Sequence, residues 1–126
     1  MVRHSLEKLN EVLIGSSGEV SIDSLDNLEL TGSITEEVHI LTGSEINADN
    51  GTIQIKSLAS GTTTFTSSLV IGQSITLRLT GADTAGATVV YPTMTWVNAV
   101  PTLTDDDQLT FWNDGDGLKG SAGALV

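Results

Sequence analysis

Short runs in which apolar and polar residues alternate recur along most of this chain. The clearest is 74–80, where Ile75, Leu77 and Leu79 occupy every second position. A period of two is typical of a β-strand with one buried face, so we expect these three side chains to face a core. Weaker alternation marks further strand candidates, namely the pairs Val20 and Ile22, Leu28 and Leu30, Val38 and Ile40, and Ile53 and Ile55.

Turn signals separate these runs at intervals of about ten residues. Asn50-Gly51 precedes an alternating run and predicts a tight hairpin, because Asn and Gly tolerate the positive φ that such turns need. The segment 113–117, Asn-Asp-Gly-Asp-Gly, is the strongest turn signal and follows the strand candidate 108–112. Gly81 to Ala87 is a loop candidate made of small residues. Pro92 and the short runs around it favour an edge strand or a bend.

These patterns predict an all-β fold. We expect an antiparallel β-sandwich or jelly-roll-like domain over residues 19–126, since strands at this spacing are typical of sandwiches, barrels and fibre-like stacks. No fixed-period repeat is visible, which leaves a β-solenoid as the minor alternative.

The first eighteen residues follow a helical rather than a strand pattern. Ser5 is a candidate N-cap, Gly15 a candidate end, and 16–18 a flexible joint, so residues 1–18 are expected to form an N-terminal arm or short helix. A helix this short is marginal alone in water, and its apolar stripe needs a partner. The predicted interface combines this stripe with the apolar C-terminus, namely Leu6, Leu9, Val12, Leu13, Leu125 and Val126.

The charge and composition of the chain exclude several classes of function. The 126 residues carry a net charge of −11 with only five Lys and Arg, which argues against binding nucleic acid or an anionic membrane. There is no cysteine, hence no disulfide or Cys-based zinc site. The start does not read as a secretory signal, and no apolar run reaches the roughly 18 residues of a membrane span.

Candidate chemistry is sparse. His4 and His39 are the only histidines, and neither has the companions that a metal site or a catalytic triad needs. The acidic residues 105–107, with Asp114 and Asp116, could supply oxygen ligands to Ca²⁺, but they lack the spacing and terminal Glu of an EF-hand. We expect a turn and a solvated loop there. The sequence therefore predicts no catalytic residue, no bound metal and no cofactor, and Trp96 and Trp112 are expected in the core or at a subunit interface.

Four short motifs resemble the C-terminal β-domain of tailed-phage fibre and virion proteins. They are Thr95-Trp96, the Pro-Thr-Leu-Thr at 101–104, the Leu-Thr-Phe-Trp at 109–112 and Asp114-Gly115. The likeness extends over about 62–120. Two departures stand out: Val97 replaces the family's Pro, and Leu118-Lys119 replaces its aromatic pair.

The resemblance implies a non-enzymatic virion protein that trimerises. The chain is short and has no collagen-like or heptad run for a shaft, so we expect a capsid decoration or cement protein that docks on other virion proteins such as the major capsid protein. The first alternative is a short tail fibre or receptor-binding knob that recognises cell-surface glycan, whose partner loop would be Asp114, Asp116, Leu118 and Lys119. The second is a Ca²⁺-dependent carbohydrate-binding module or lyase.

Overall fold

The computed structural model describes residues 31–125, and Thr35–Val126 group as one compact unit. The predicted arm 1–18, the boundary at residue 19 and the first two strand candidates lie outside the described residues. So do five of the six predicted interface residues, namely Leu6, Leu9, Val12, Leu13 and Val126.

The described part of the chain is almost entirely β-structure, which confirms the all-β prediction. Its only helical pieces are a 3₁₀ turn, Ala48–Asn50, and one turn of α-helix, α1, Ala82–Ala85; neither is long enough to cross a bilayer. The strands are β1 Val38–Ile40, β2 Glu45–Ile46, β3 Ile53–Ser57, β4 Gly61–Thr64, β5 Thr66–Ser67, β6 Ser74–Thr80, β7 Ala87–Val90, β8 Thr95–Trp96, β9 Asp106–Asn113 and β10 Leu118–Ala124.

One six-stranded sheet, in the order β1-β3-β6-β9-β10-β8, dominates the fold, and two small sheets pair β2 with β5 and β4 with β7. Only β6-β9 and β9-β10 are antiparallel; the other five pairings among residues 31–125 are parallel. The predicted antiparallel arrangement is thus wrong for most of the fold, and a sandwich or jelly roll is not confirmed.

The reason lies in the path of the chain. After β1 it passes through β2 and returns as β3, parallel to β1; after β3 it passes through β4 and β5 and returns as β6, parallel to β3. Each circuit lays one strand beside the previous one, which is solenoid-like stacking. Turn spacing in the sequence shows where the chain bends, but it does not distinguish a hairpin return from a full circuit.

The hairpin predicted at Asn50-Gly51 is wrong for the same reason. Gly51 does take a positive φ of 97°, but it ends the 3₁₀ turn, and the strand before that turn pairs with β5 rather than with β3. The buried side chain of Gln54 stabilises this bend, because its amide donates to the carbonyls of Asn47 and Gly51, both at 2.8 Å.

The core confirms the strongest strand prediction. Ile75, Leu77 and Leu79 of β6 are buried, with at most 2% of each exposed. They meet alternate residues of β9, as in the pairs Ile75–Phe111 and Leu77–Leu109. The remaining buried apolar residues are Leu41, Ile46, Leu58, Phe65, Leu69 and Ala82.

Candidate functional site

The acidic run 105–107 is taken up by three separate sets of hydrogen bonds. Asp105 accepts from the backbone N–H of Thr84 at 2.7 Å and from its hydroxyl at 2.5 Å. Asp106 forms a two-pronged ion pair with Arg78, with both N···O distances 2.7 Å. The carboxylate of Asp107 is buried and accepts from the backbone N–H of Thr104 at 2.7 Å and from its hydroxyl at 3.1 Å.

The contacts of Asp105 and Asp106 favour the ionised form of each carboxylate, and the three sets of contacts do not gather the carboxylates around a common point. Hydrogen bonds from Thr84 lower the pKa of Asp105, and the Arg78 hydrogen bond lowers the pKa of Asp106. Within residues 31–125, no three His, Asp or Glu side chains converge as a metal ion would need. Asp105 connects the loop before β9 to α1, and Asp106 connects β9 to β6. Asp107 holds Thr104 of the preceding loop against the start of β9.

The turn between β9 and β10 brings together three of the four predicted partner-loop residues. Gly115 and Gly117 have φ of 93° and 103°, which allows the tight reversal. Lys119 donates to the backbone carbonyl of Asp116 at 2.9 Å, and its ammonium lies 3.4 Å from the Asp116 carboxylate and 3.9 Å from that of Asp114. The fourth residue, Leu118, is half-buried and packs against the core, so the structure does not place it in a contact loop.

The sequence analysis missed a second loop beside this turn. Val70 and Ile71, between β5 and β6, are 60% and 72% exposed, and the Ile71 side chain lies against Gly115. Asn113 fastens the two loops: its carbonyl accepts from Gly72 at 2.8 Å, and its amide donates to the Leu69 carbonyl at 3.0 Å. We call Val70, Ile71, Asp114, Asp116 and Lys119 the hairpin-end surface. The sequence signal for this second loop was Gly72, a turn-forming residue directly after the apolar run 69–71.

Trp96, expected in the core or at a subunit interface, is half-buried and packs against the core from its edge. Its ring meets Tyr91 edge-on at 4.8 Å between centroids and Phe111 at 6.0 Å, and it packs against the buried cluster. Trp112 is half-buried on β9, in register with Ser74 and Lys119. Trp96 is thus not an exposed stacking platform for a sugar.

An open groove of about 470 Å³ runs between α1, β7 and the loop 100–103. Asp83 and Tyr91 are the only titratable residues among those that line it. The Tyr91 hydroxyl is buried without a hydrogen-bond partner in the described part of the chain, and this burial, helped by the charge of Asp107, raises its pKa to about 12. A phenol this weakly acidic keeps its proton at neutral pH, so Tyr91 does not act as a general base, and Asp83 is the one carboxylate that lines the groove.

Leu125 is the one predicted interface residue that the structure describes. It is 42% exposed, and its backbone N–H donates to the carbonyl of Asp106 at 2.8 Å. The C-terminal end of the described chain therefore runs alongside β9, with an apolar side chain partly open to solvent.

Comparison with protein-family models, curated proteins and solved structures finds no match to this chain. The functional argument therefore depends on the residues themselves and on their geometry.

Proposed function

We propose that this chain is a non-enzymatic structural protein of a tailed-phage virion, and that it decorates the capsid as an oligomer bound to the major capsid protein. The phage context comes from the sequence motifs at 95–96, 101–104, 109–112 and 114–115. The observation that carries a structural rather than a catalytic role is the acidic run 105–107, because each of its carboxylates already bonds a neighbouring part of the fold.

The motif residues have structural positions that suit this role. The half-buried Trp96 packs edge-on against the buried Phe111, and the Pro-Thr-Leu-Thr segment supplies Thr104, which donates two hydrogen bonds to Asp107. A decoration protein needs a stable body with exposed contact surfaces, and it needs no reactive centre. The residues that carry the resemblance are therefore residues that stabilise the fold.

A receptor-binding knob is the second candidate, and the hairpin-end surface favours it. There two exposed aliphatic side chains adjoin two carboxylates and an ammonium on loops fastened by Asn113. A rigid loop surface of mixed character is suited to recognising a cell-surface glycan or protein. A Ca²⁺-dependent carbohydrate-binding module has less support, since the carboxylates at 105–107 are already engaged.

Particle binding and cell binding separate the two main candidates. Purified full-length chain is mixed with phage particles that lack it and, separately, with host cells, and each mixture is sedimented. Decoration predicts that the chain sediments with particles and not with cells. It also predicts that deletion of residues 1–15 removes particle binding while the melting temperature changes little.

The same assay tests the hairpin-end surface. For a receptor-binding knob, Ile71→Ser should abolish cell binding, whereas Val100→Ser, at a similarly exposed valine of another loop, should not. Sedimentation with neither particles nor cells would contradict both proposals.

A further inference from the structure

Four aliphatic side chains lie next to one another on the outer, solvent-facing side of the six-stranded sheet. In the parallel register of β1 and β3, Val38 lies beside Ile53 and Ile40 beside Ile55. Val38, Ile40 and Ile53 are 47%, 62% and 39% exposed, and Ile55 is half-buried. Neighbouring strands are about 4.8 Å apart, so the four side chains form one continuous group, which we call the aliphatic patch.

The alternation of β3 is inverted relative to an ordinary half-buried strand. Its isoleucines face outward, while Gln54 and Lys56 face inward and are 0% and 9% exposed. The core therefore gains little from the isoleucines. Adjacent exposed aliphatic side chains of this kind commonly mark an interaction site rather than a chance exposure.

The outer face stays nearly free of charge beyond the patch. Along the same two register rows, β6, β9 and β10 contribute Thr76, Thr110, Ser121, Arg78, Gln108 and Gly123. Arg78 is the only charged residue in these rows, and Asp106 neutralises it at 2.7 Å. In a chain with a net charge of −11, so uncharged a face is unusual.

We propose that the outer face of the six-stranded sheet is a self-association surface, covered by a second copy of the chain. Copies that each carry −11 repel one another, so contact is least opposed through a surface with no net negative charge. The outer face is such a surface, because the one acidic residue at the outward positions of β1, β3, β6, β9 and β10 is Asp106, which is ion-paired with Arg78. A basic partner would instead be attracted to the acidic turns elsewhere.

The size of the face suits a weak self-association. Its four longer strands, β3, β6, β9 and β10, have five to eight residues each. At about 4.8 Å between strands and about 3.3 Å per residue, the face spans roughly 25 by 16 Å, or about 400 Å² in projection. This is about half of the roughly 800 Å² per partner that a standard interface buries. The aliphatic patch would form an apolar contact at the β1 edge of the face, beside the Thr, Ser and Gln side chains.

This inference concerns the isolated chain, so it can succeed or fail independently of the particle. The test is sedimentation velocity of the full chain over a range of micromolar concentrations, comparing wild type with Ile40→Lys and the control Ile71→Lys. The control is matched, because the two isoleucines are 62% and 72% exposed and both changes reduce the net negative charge by one.

We expect wild type to associate and Ile40→Lys to weaken association at least about tenfold, with the control unchanged. Both variants lower the electrostatic repulsion between copies equally. A loss of self-association in Ile40→Lys alone therefore locates the contact on the outer face. Association should also strengthen as salt rises from 0.01 M to 0.15 M, because the Debye length falls from about 30 Å to about 8 Å.

A second variant protects the test against misfolding. Val38→Thr combined with Ile40→Thr keeps β-branched shapes on β1 but makes the patch polar; weaker association at an unchanged melting temperature supports the proposal. A wild-type chain that stays monomeric, or Ile40 variants that associate as wild type does, would overturn it.

Discussion

The carboxylate of Asp105 caps a helix that is distant from it in the sequence. It accepts from the backbone N–H of Thr84 at 2.7 Å and from the Thr84 hydroxyl at 2.5 Å. Thr84 lies in the first turn of α1, whose own N-cap residue is Gly81 and has no side chain to offer. A loop residue therefore supplies the cap and at the same time holds the loop before β9 against α1.

We expect Asp105→Ala to lower the melting temperature by a few degrees and Asp105→Asn by less, since Asn keeps an acceptor oxygen. The control is Asp83→Asn on the same helix, where the exposed carboxylate makes no hydrogen bond within the described residues. Thermal melts followed by circular dichroism measure the difference. Equal melting temperatures for Asp105→Ala and the control would show that the cap is dispensable.

Acid should destabilise the domain through Asp105 and Asp106. Their pKa values are lowered in the folded chain, so the stability they contribute is present above the unfolded pKa of about 3.9 and is lost as pH falls through the lower folded values. Wild type should therefore lose stability below about pH 4 more steeply than an Asp105→Asn, Asp106→Asn double variant. Urea midpoints at pH 7 and pH 3 measure this, and parallel losses would contradict it.

Gly120→Ala should destabilise the fold by about 1–3 kcal/mol. A Cβ at Gly120 would overlap the Met94 Cε and lie 3.1 Å from the Trp96 ring, which is fixed between Tyr91 and Phe111. Gly123→Ala on the same strand is the control, because a Cβ there has no described neighbour within 4 Å. Chemical denaturation measures the stability of both variants. Equal stabilities would mean that the Trp96 ring shifts at little cost to make room for the Cβ.

Gln54→Ala should cost about 2–4 kcal/mol, because it leaves two carbonyls without their donor and opens a cavity in the core. The carbonyls belong to Asn47 and Gly51, and Gln54 is fully buried. Gln108→Ala, on the exposed side of β9, should change stability by no more than about 0.5 kcal/mol. The free energy of unfolding in urea distinguishes them; a similar small effect at both positions would contradict the role assigned to Gln54.

Tyr91→Phe should stabilise the domain by about 1 kcal/mol, since it removes a buried hydroxyl that has no partner within residues 31–125. The pKa of Tyr91 is raised to about 12, so its contribution to stability is complete below the unfolded value of about 10 and is lost as pH rises towards 12. Phenolate absorbance reports the titration directly, because Tyr91 is the only tyrosine. Titration near pH 10 in the folded protein would contradict the burial.

The sequence predicted those elements whose signals are local. The alternation of β6 and the turn at 113–117 both appear in the structure as expected, because period and turn chemistry act over a few residues. The direction of the returns depended on contacts that no local pattern records. At Asn50-Gly51, for example, the amide of buried Gln54 favours a 3₁₀ turn over a hairpin.

The candidate site was predictable in part for the same reason. Asp114, Asp116 and Lys119 share a turn and were found together, whereas Ile71 comes near them only because Asn113 bonds a loop far away in the sequence. The sequence also could not predict that the isoleucines of β3 face outward. Alternation shows that a strand has two different faces, but it does not show which face the core covers. In β3 the inward face is the polar one.

The order of strands in the six-stranded sheet predicts the order in which the strands unfold locally. β9 and β10 are joined by a short turn and pair along seven residues, and β6 is enclosed by β3 and β9. β1 has three residues and, among residues 31–125, one neighbour in the sheet. β1 and β8 are the edge strands, and β1 lies further along the sheet from the β9–β10 hairpin. We therefore expect β1 to open before β3, and β3 before β6 and β9. Amide hydrogens should accordingly exchange fastest in β1, more slowly in β3, and in β6 and β9 only at rates set by global unfolding.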